Sequence, residues 1–215
     1  MVDIHTHQAN DPYSVQIRNI FAQDLPDEEL DFPFSVGLHP WDLDVVNPGQ
    51  CMQAIEVAST QKNMYAVGEC GLDRLITTDF AFQEQYFKQH ILIAEKYCKP
   101  LIIHCVRAYS DLMRIKKTRQ SDLPWIIHGY VGNFDTTQSL IRHNFIFSVG
   151  ERLLNDPKKQ DVLRTIPPDR LFLETDNGDI PIVRIYSMAA QALDMEQEAL
   201  IQIIDCNFKR IFSKI

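Results

Sequence analysis

Val2-Asp3-Ile4-His5-Thr6-His7 is a short apolar run ending in two histidines that flank a single residue. Alternate residues of a strand project to the same side, so His5 and His7 are set to aim two imidazoles at one point where the strand ends. Two neutral imidazoles so placed suit zinc, manganese, iron or nickel, and a strand mouth is where barrel enzymes keep their chemistry. The pair alone also fits polar residues satisfied at a strand end, so the rest of the chain has to decide.

Outward from this run, β-branched or apolar stretches recur at Val2 to His5, Val15 to Phe21, Phe34 to Leu38, Met64 to Gly68, Leu101 to His104, Trp125 to His128, Phe145 to Val149 and Leu171 to Thr175. Most are separated by amphipathic segments of helical length: Gln50 to Gln61, Phe80 to Tyr97, Tyr109 to Lys117, Thr136 to Arg142, Pro157 to Thr165 and Glu196 to Ile211. Strand and helix in alternation imply a parallel sheet, and eight repeats predict a TIM-type (β/α)8 barrel of the α/β class. The first two units fit poorly. Only Gln8 to Ser14 joins the first two runs, whereas a crossover to a parallel neighbour takes a dozen or more residues. Ala22 to Pro33 carries Asp24, Pro26, Asp27, Glu28 and Glu29 with little helical periodicity, so it reads as a loop or one turn. The expectation is a compact barrel with reduced or missing early crossover helices, or with its second strand displaced.

At 215 residues and 45% hydrophobic content, the chain fits one domain over residues 1–215 with a substantial core. Its apolar runs are strand-sized, far below a membrane span, and its opening residues already read as strand, which points to a cytoplasmic protein. Five cysteines, Cys51, Cys70, Cys98, Cys105 and Cys206, are odd in number and lack CxxC spacing, so reduced thiols are the simpler reading. A net charge of -8 argues against a broad electrostatic footprint for duplex nucleic acid. It does not exclude a nucleic-acid enzyme, because bound divalent cations offset carboxylates locally and one phosphodiester needs only a small positive patch. Arg107, Arg114, Lys116, Lys117 and Arg119 form such a patch opposed by Asp111, and all but Arg107 read as a solvated helix face.

The remaining histidines and carboxylates fall at the carboxyl ends of the runs: His39 after the third, Glu69 after the fourth, His104 and His128 ending the fifth and sixth, and Asp176 after the eighth. In a barrel such positions share one face although they are far apart in sequence. His90 and His143 lie in or at the end of predicted helices and read as structural. Four of these imidazoles and the two carboxylates already exceed the needs of one tetrahedral zinc; they suit two cations about 3.5–4 Å apart with a bridging carboxylate.

With these residues in place the chain resembles the TatD family of metal-dependent deoxyribonucleases, within the amidohydrolase-like barrel enzymes. The resemblance rests on Asp3-Ile4-His5-Thr6-His7, Gly37-Leu38-His39-Pro40, Val67-Gly68-Glu69-Cys70-Gly71-Leu72-Asp73, Ile102-Ile103-His104-Cys105, Ile127-His128-Gly129 and Leu173-Glu174-Thr175-Asp176, in the family's order. The tail Asn207-Phe208-Lys209-Arg210-Ile211-Phe212 is similar to the family's closing helix. The chain departs from the pattern by being some tens of residues shorter, by lacking the first two crossover helices, and by replacing a proline-rich basic loop with Asn177-Gly178-Asp179-Ile180-Pro181. Arg107 also stands three residues past His104, where the family's arginine stands two past.

The resemblance implies one divalent ion, of zinc, magnesium or manganese, on His5, His7, Glu69 and Asp176, and another on Glu69, His104 and His128. It implies Glu69 as the bridge and Asp176 as general base, orienting a water and taking its proton as it attacks phosphorus or a carbonyl carbon. Asp176 also fits a turn in Asp176-Asn177-Gly178. His39 is expected to bind phosphate, orient the water or fix its loop. Arg107 is the candidate phosphate clamp, or else an ion pair with Asp111 one helical turn on. Trp41 and Tyr130, beside His39 and His128, are either base-stacking rings or rim packing. Cys70 and Cys105 adjoin ligands, but strand alternation points them away from the metals. The function implied is a phosphodiesterase, a deoxyribonuclease acting on single-stranded DNA or DNA ends, with no membrane and no obligate protein partner. The alternative is hydrolysis of a carboxylic ester or amide on the same metals, such as D-aminoacyl-tRNA deacylation, because one fold and metal set serves many chemistries. A third reading is a binding module that has lost activity, against which the intact ligand set argues.

Overall fold

A computed structural model describes residues 1–8 and 11–212. By their contacts they fall into two compact units, Met1–Arg18 with the chain from Ile126 onward, and Asn19–Trp125. Strands β1 (Val2–Thr6), β2 (Val15–Phe21), β3 (Phe34–Gly37), β4 (Met64–Asp73), β5 (Leu101–Val106), β6 (Trp125–Ile127), β7 (Phe145–Val149) and β8 (Leu171–Leu173) follow one another in the sheet in chain order. The helices are α1 (Pro48–Ala58), α2 (Phe80–Lys96), α3 (Tyr109–Arg119), α4 (Phe134–Arg142), α5 (Glu151–Leu154), α6 (Pro157–Leu163), α7 (Ile182–Leu193) and α8 (Gln197–Phe212).

The first unit holds β1, β7 and β8 with α4 to α8. Val2, Asp3 and Thr6 pair in parallel with Val15, Gln16 and Arg18, so β2 is the direct neighbour of β1 and is not displaced. The link between them, residues 7–14, contains no helix among its described residues; Ala9 and Asn10 lie outside those. β7 pairs in parallel with β8, and Thr6 bridges in parallel to Asp176 just beyond β8. Both faces of β7 are buried, which is why Phe145-Ile146-Phe147-Ser148-Val149 reads as a nearly continuous apolar run. The closing helix α8 is tied to the start of β8 by Asn207, whose side-chain amide donates to the carbonyls of Pro168 at 2.8 Å and Leu171 at 3.0 Å. That pair of hydrogen bonds gives the Asn207 position of the tail a physical reason.

The second unit holds β3, β4 and β5 with α1 to α3. After β2 the chain makes only a 3-10 turn at Ala22–Asp24 before β3, within the loop or one turn expected for that stretch. α1 and α2 are capped by Asn47 and Asp79, which accept from the backbone of Gln50 and Phe82. Along α2, Gln83, Phe87, His90, Ile91 and Ala94 are buried at helical spacing. β4 differs from the expected run: it continues past Gly68 to Asp73, so Glu69 lies inside the strand and not at its end. Pairing with β5 shifts register between Val67 and Cys70. Gly71 explains how the strand continues. It sits at φ 151°, and a Cβ there would stand 2.0 Å from the carbonyl oxygen of His104.

His90 is a structural residue, as its helix position suggested. Its Nδ1–H donates to the carbonyl of Tyr86 at 2.8 Å, and its Nε2 accepts from the backbone N–H of Leu38 at 3.0 Å, which fixes one neutral tautomer. Burial lowers its pKa to about 4. A base held neutral in the fold stabilises fully above its unfolded value of 6.5 and loses that stabilisation as pH falls towards 4. The loss amounts to about 3 kcal/mol over that interval. Urea unfolding from pH 7 to pH 4 will show a shallower pH dependence for His90→Gln than for wild type by about that amount. Gly71→Ala will lower the melting temperature by roughly 5–10 °C in a thermal scan, from strain and the clash with His104.

Candidate metal centre

The first unit brings His5, His7 and Asp176 together, with ligand atoms within 4.8 Å of one another. His5 lies in β1, fully buried, and His7 just past its end. Asp176 Oδ1 stands 3.7 Å from His5 Nε2 and 3.5 Å from His7 Nε2. Backbone bonds hold it there: the N–H of His7 donates to the carbonyl of Asp176 at 3.1 Å, and the N–H of Asp176 to the carbonyl of His5 at 3.0 Å. Asp176 adopts φ 52°, a conformation that aspartate tolerates better than most residues. The turn expected at Asp176-Asn177-Gly178 forms, with the N–H of Gly178 donating to Thr175, so turn and ligand geometry coexist.

Asp3 supports the arrangement from beneath. Its carboxylate accepts from the Thr175 hydroxyl at 2.7 Å, from the Thr175 N–H at 3.2 Å and from the His5 N–H at 3.4 Å. Burial pushes its carboxyl up to about 7, against the opposing pull of the Thr175 bonds. His128, one residue past β6, packs its ring 4.3 Å from that of His5. Its Nδ1 is 3.5 Å from Glu174 Oε1, which also accepts from the Gly129 N–H at 2.5 Å. Burial would raise the Glu174 carboxyl, but His128 and His5 outweigh it and hold the group below the usual carboxylate range. Sequence reading missed Glu174, which stands just past the end of β8 and two residues before Asp176. The residues Gly129, Glu151, Arg152, Glu174, Asp176 and Gly178 help line a cavity of about 200 Å³.

The second unit gathers His39, Glu69 and His104, again with ligand atoms within 4.8 Å. Glu69 Oε1 is 2.9 Å from His104 Nδ1 and 3.1 Å from His39 Nε2, and the Glu69 N–H donates to Asn19 Oδ1 at 2.7 Å. His39 Nδ1 accepts from the Trp41 N–H at 3.2 Å, so its Nε2 carries the proton and donates to Glu69. Burial lowers the His39 pKa and Glu69 opposes it. His39 therefore stands in one group with two candidate ligands, Glu69 and His104, and its fixing of the GLHP turn is realised in the same geometry. Sequence reading missed Asp73 at the end of β4, whose Oδ2 is 3.3 Å from His104 Nε2 and accepts from the indole N–H of Trp41 at 2.8 Å. Burial raises its pKa, but the bonds from Trp41, Leu75 and His104 bring it below the usual value.

Arg107 is exposed at φ 53°, and its expected partner Asp111 is taken by Arg74 at 2.8 Å and Arg114 at 3.6 Å. In the rest of the basic patch Arg114 pairs with Glu84 and Arg119 with Glu95, Lys116 is buried with its ammonium 5.3 Å from the Trp125 ring centroid, and Lys117 is exposed on α3. Tyr130 is fully buried and bonds Thr137 at 2.7 Å, so it is core and not rim. Cys70 is buried too, its thiol 3.8 Å from the Ile102 carbonyl. His143 caps the end of α4, its ring bonded to the Ser139 carbonyl.

Imidazole and carboxylate donors so closely grouped fit a divalent transition-metal cation such as zinc or manganese, and in each unit hydrogen bonds from neighbouring groups hold the candidate ligands. Among the described residues no helix is long and apolar enough to cross a membrane. The TatD-related DNase family model matches residues 20–213. The metal-dependent hydrolase YabD of Bacillus subtilis is 28% identical over 204 residues, covering 86% of this chain and 79% of its own. A protein named 3'-5' ssDNA/RNA exonuclease TatD, from Rahnella, is 29% identical over 166 residues, covering 74% and 62%. In fold, the chain is similar to the crystal structure of YJJV, a TatD homologue from Escherichia coli, with TM-score 0.84 and 21% identity over 99% of this chain and 97% of that one. With the β1-to-β8 strand order, that likeness makes the fold the TIM-type (β/α)8 barrel that the alternation of runs predicted. On the extent of the family match, this chain belongs to the TatD-related DNase family.

Proposed function

We propose that this TatD-family metal-dependent hydrolase is a phosphodiesterase, a deoxyribonuclease acting on single-stranded DNA or DNA ends, and that residues 1–215 form one catalytic domain. The observation that carries the reading is Asp176, whose carboxylate stands within 3.7 Å of two imidazoles while remaining one-third exposed. A carboxylate so placed is both a metal ligand and open to water. His5, His7, Glu69, His104, His128 and Asp176 would hold two divalent ions, of zinc, magnesium or manganese. Such ions supply Lewis acidity, lowering the pKa of a water and neutralising charge on a phosphate oxygen.

The chain's own residues do the rest. Asp176, locked by its backbone bonds to His5 and His7, orients a water and takes its proton. Asp3 keeps that carboxylate in place through Thr175. His39, with its proton on Nε2, is a neutral donor at the site, and Glu69 fixes its ring. Arg107, free of Asp111, is the phosphate clamp: a guanidinium holds two oxygens at once. The name of the Rahnella relative supports a polynucleotide substrate. Five free thiols fit the cytoplasm as the compartment.

Reconstituted protein will carry close to two equivalents of divalent metal by elemental analysis, and His5→Ala/His7→Ala about one fewer; a wild type that retains none overturns the metal reading. Asp176→Asn will lower kcat on a 3′-labelled single strand by about 100-fold or more, the usual worth of a general base. That assay runs with magnesium, manganese or zinc beside a panel of aminoacyl esters. Turnover of the esters alone would reassign the enzyme to carboxylic ester or amide hydrolysis.

A further inference from the structure

The second unit presents an aromatic surface that the hydrolytic chemistry does not use. Trp41 is 58% exposed, although tryptophan is among the residues that bury the most area on folding. It is not loose. Its indole N–H is tied to Asp73 Oδ2 at 2.8 Å and its backbone N–H to His39 Nδ1 at 3.2 Å. Its ring centroid lies 4.8 Å from His39 and 5.7 Å from His104, with interplanar angles of 84° and 77°. Both imidazoles meet the indole nearly at right angles, so among the described residues no ring lies parallel to it. The result is a large, rigid π-surface held open to solvent beside two residues of a ligand group.

Structural packing does not need this arrangement. Anchoring the 3-10 turn at Pro40–Asp42 requires only the backbone N–H of Trp41, which any residue but proline supplies. The indole N–H spends its bond on an acidic group instead, which fixes the ring's orientation. A flat aromatic surface beside a phosphodiester-cleaving centre is matched in chemistry by a nucleobase, since every base has a π-face and stacking tolerates any sequence. A base stacked on both sides within a duplex has no free face to offer.

We propose that Trp41 is the stacking platform for an unpaired nucleobase of the substrate, and so selects single strands and frayed ends over paired duplex. The proposal rests on the phosphodiesterase reading for the identity of the substrate. The chain also supplies its own reporter: it has two tryptophans, and the other, Trp125, is fully buried. A change in tryptophan emission on adding a strand therefore reports on Trp41.

The test uses single-stranded octathymidylate and an abasic octamer with the same phosphates. In the slow Asp176→Asn protein with metal, octathymidylate should quench tryptophan emission saturably and the abasic strand should not; Trp41→Phe should abolish the quench. In the active enzyme, Trp41→Ala should raise KM for octathymidylate about 5- to 150-fold, the worth of one stacked base, and leave the abasic KM near wild type. Trp41→Phe, which keeps a ring but loses the bond to Asp73, should restore much of the KM. Absence of a quench, an equal quench by both strands, or equal KM changes on both substrates would overturn the stacking role. If wild type hydrolyses neither strand the phosphodiesterase reading falls, while the emission arm still decides whether Trp41 binds a base.

Discussion

The buried carboxylate of Asp3 is the fixed point of the first unit. It sits on β1, yet its strongest bonds run to Thr175, 172 residues along the chain, and Thr175 is the residue that sets Asp176. A carboxylate taken out of water is costly unless hydrogen-bonded, and here the bonds that stabilise it are the ones that set the ligand geometry. Remove them and the backbone exchange among His5, His7 and Asp176 loses its backing. Strand pairing, the turn after β8 and the donor set are thus one cooperative arrangement.

In the second unit the corresponding constraint is the close approach of β4 to β5. Glycine at position 71 allows it, since any side chain there would meet the His104 carbonyl. The approach carries Glu69 to His104 and, four residues on, Asp73 to the far side of the same imidazole. Gln83 of α2 then closes the strand end, accepting from the Asp73 N–H and donating to its carbonyl. His104 is gripped through both ring nitrogens by two carboxylates, an orientation that a lone strand-end histidine would not keep.

Much of this was legible in the sequence because polar residues punctuated apolar runs. His5, His104 and His128 stand out where a strand buried on both faces would otherwise continue as valine or isoleucine. The lack of early crossovers followed from counting residues. What escaped was set by partners remote in sequence. Asp111 was read against Arg107 by helical spacing, but Arg74, brought over at the end of β4, took it. Glu174 and Asp73 looked like ordinary acidic residues, since nothing local tells a carboxylate facing an imidazole from one facing water. The length of β4 was underestimated because glycine usually ends or weakens a strand, and here close backbone approach demands it.

The bond between Asp3 and Thr175 also has a consequence for synthesis. A ribosome adds about 5–20 residues per second, so β1 leaves it roughly 10–30 s before its partner segment exists. The unit made of Met1–Arg18 and the chain from Ile126 onward must therefore wait for most of translation, while Asn19–Trp125 is complete much earlier. During that interval the apolar run Val2 to Thr6 is an unpaired edge of the nascent chain, in need of a chaperone or of its early neighbour β2 for cover.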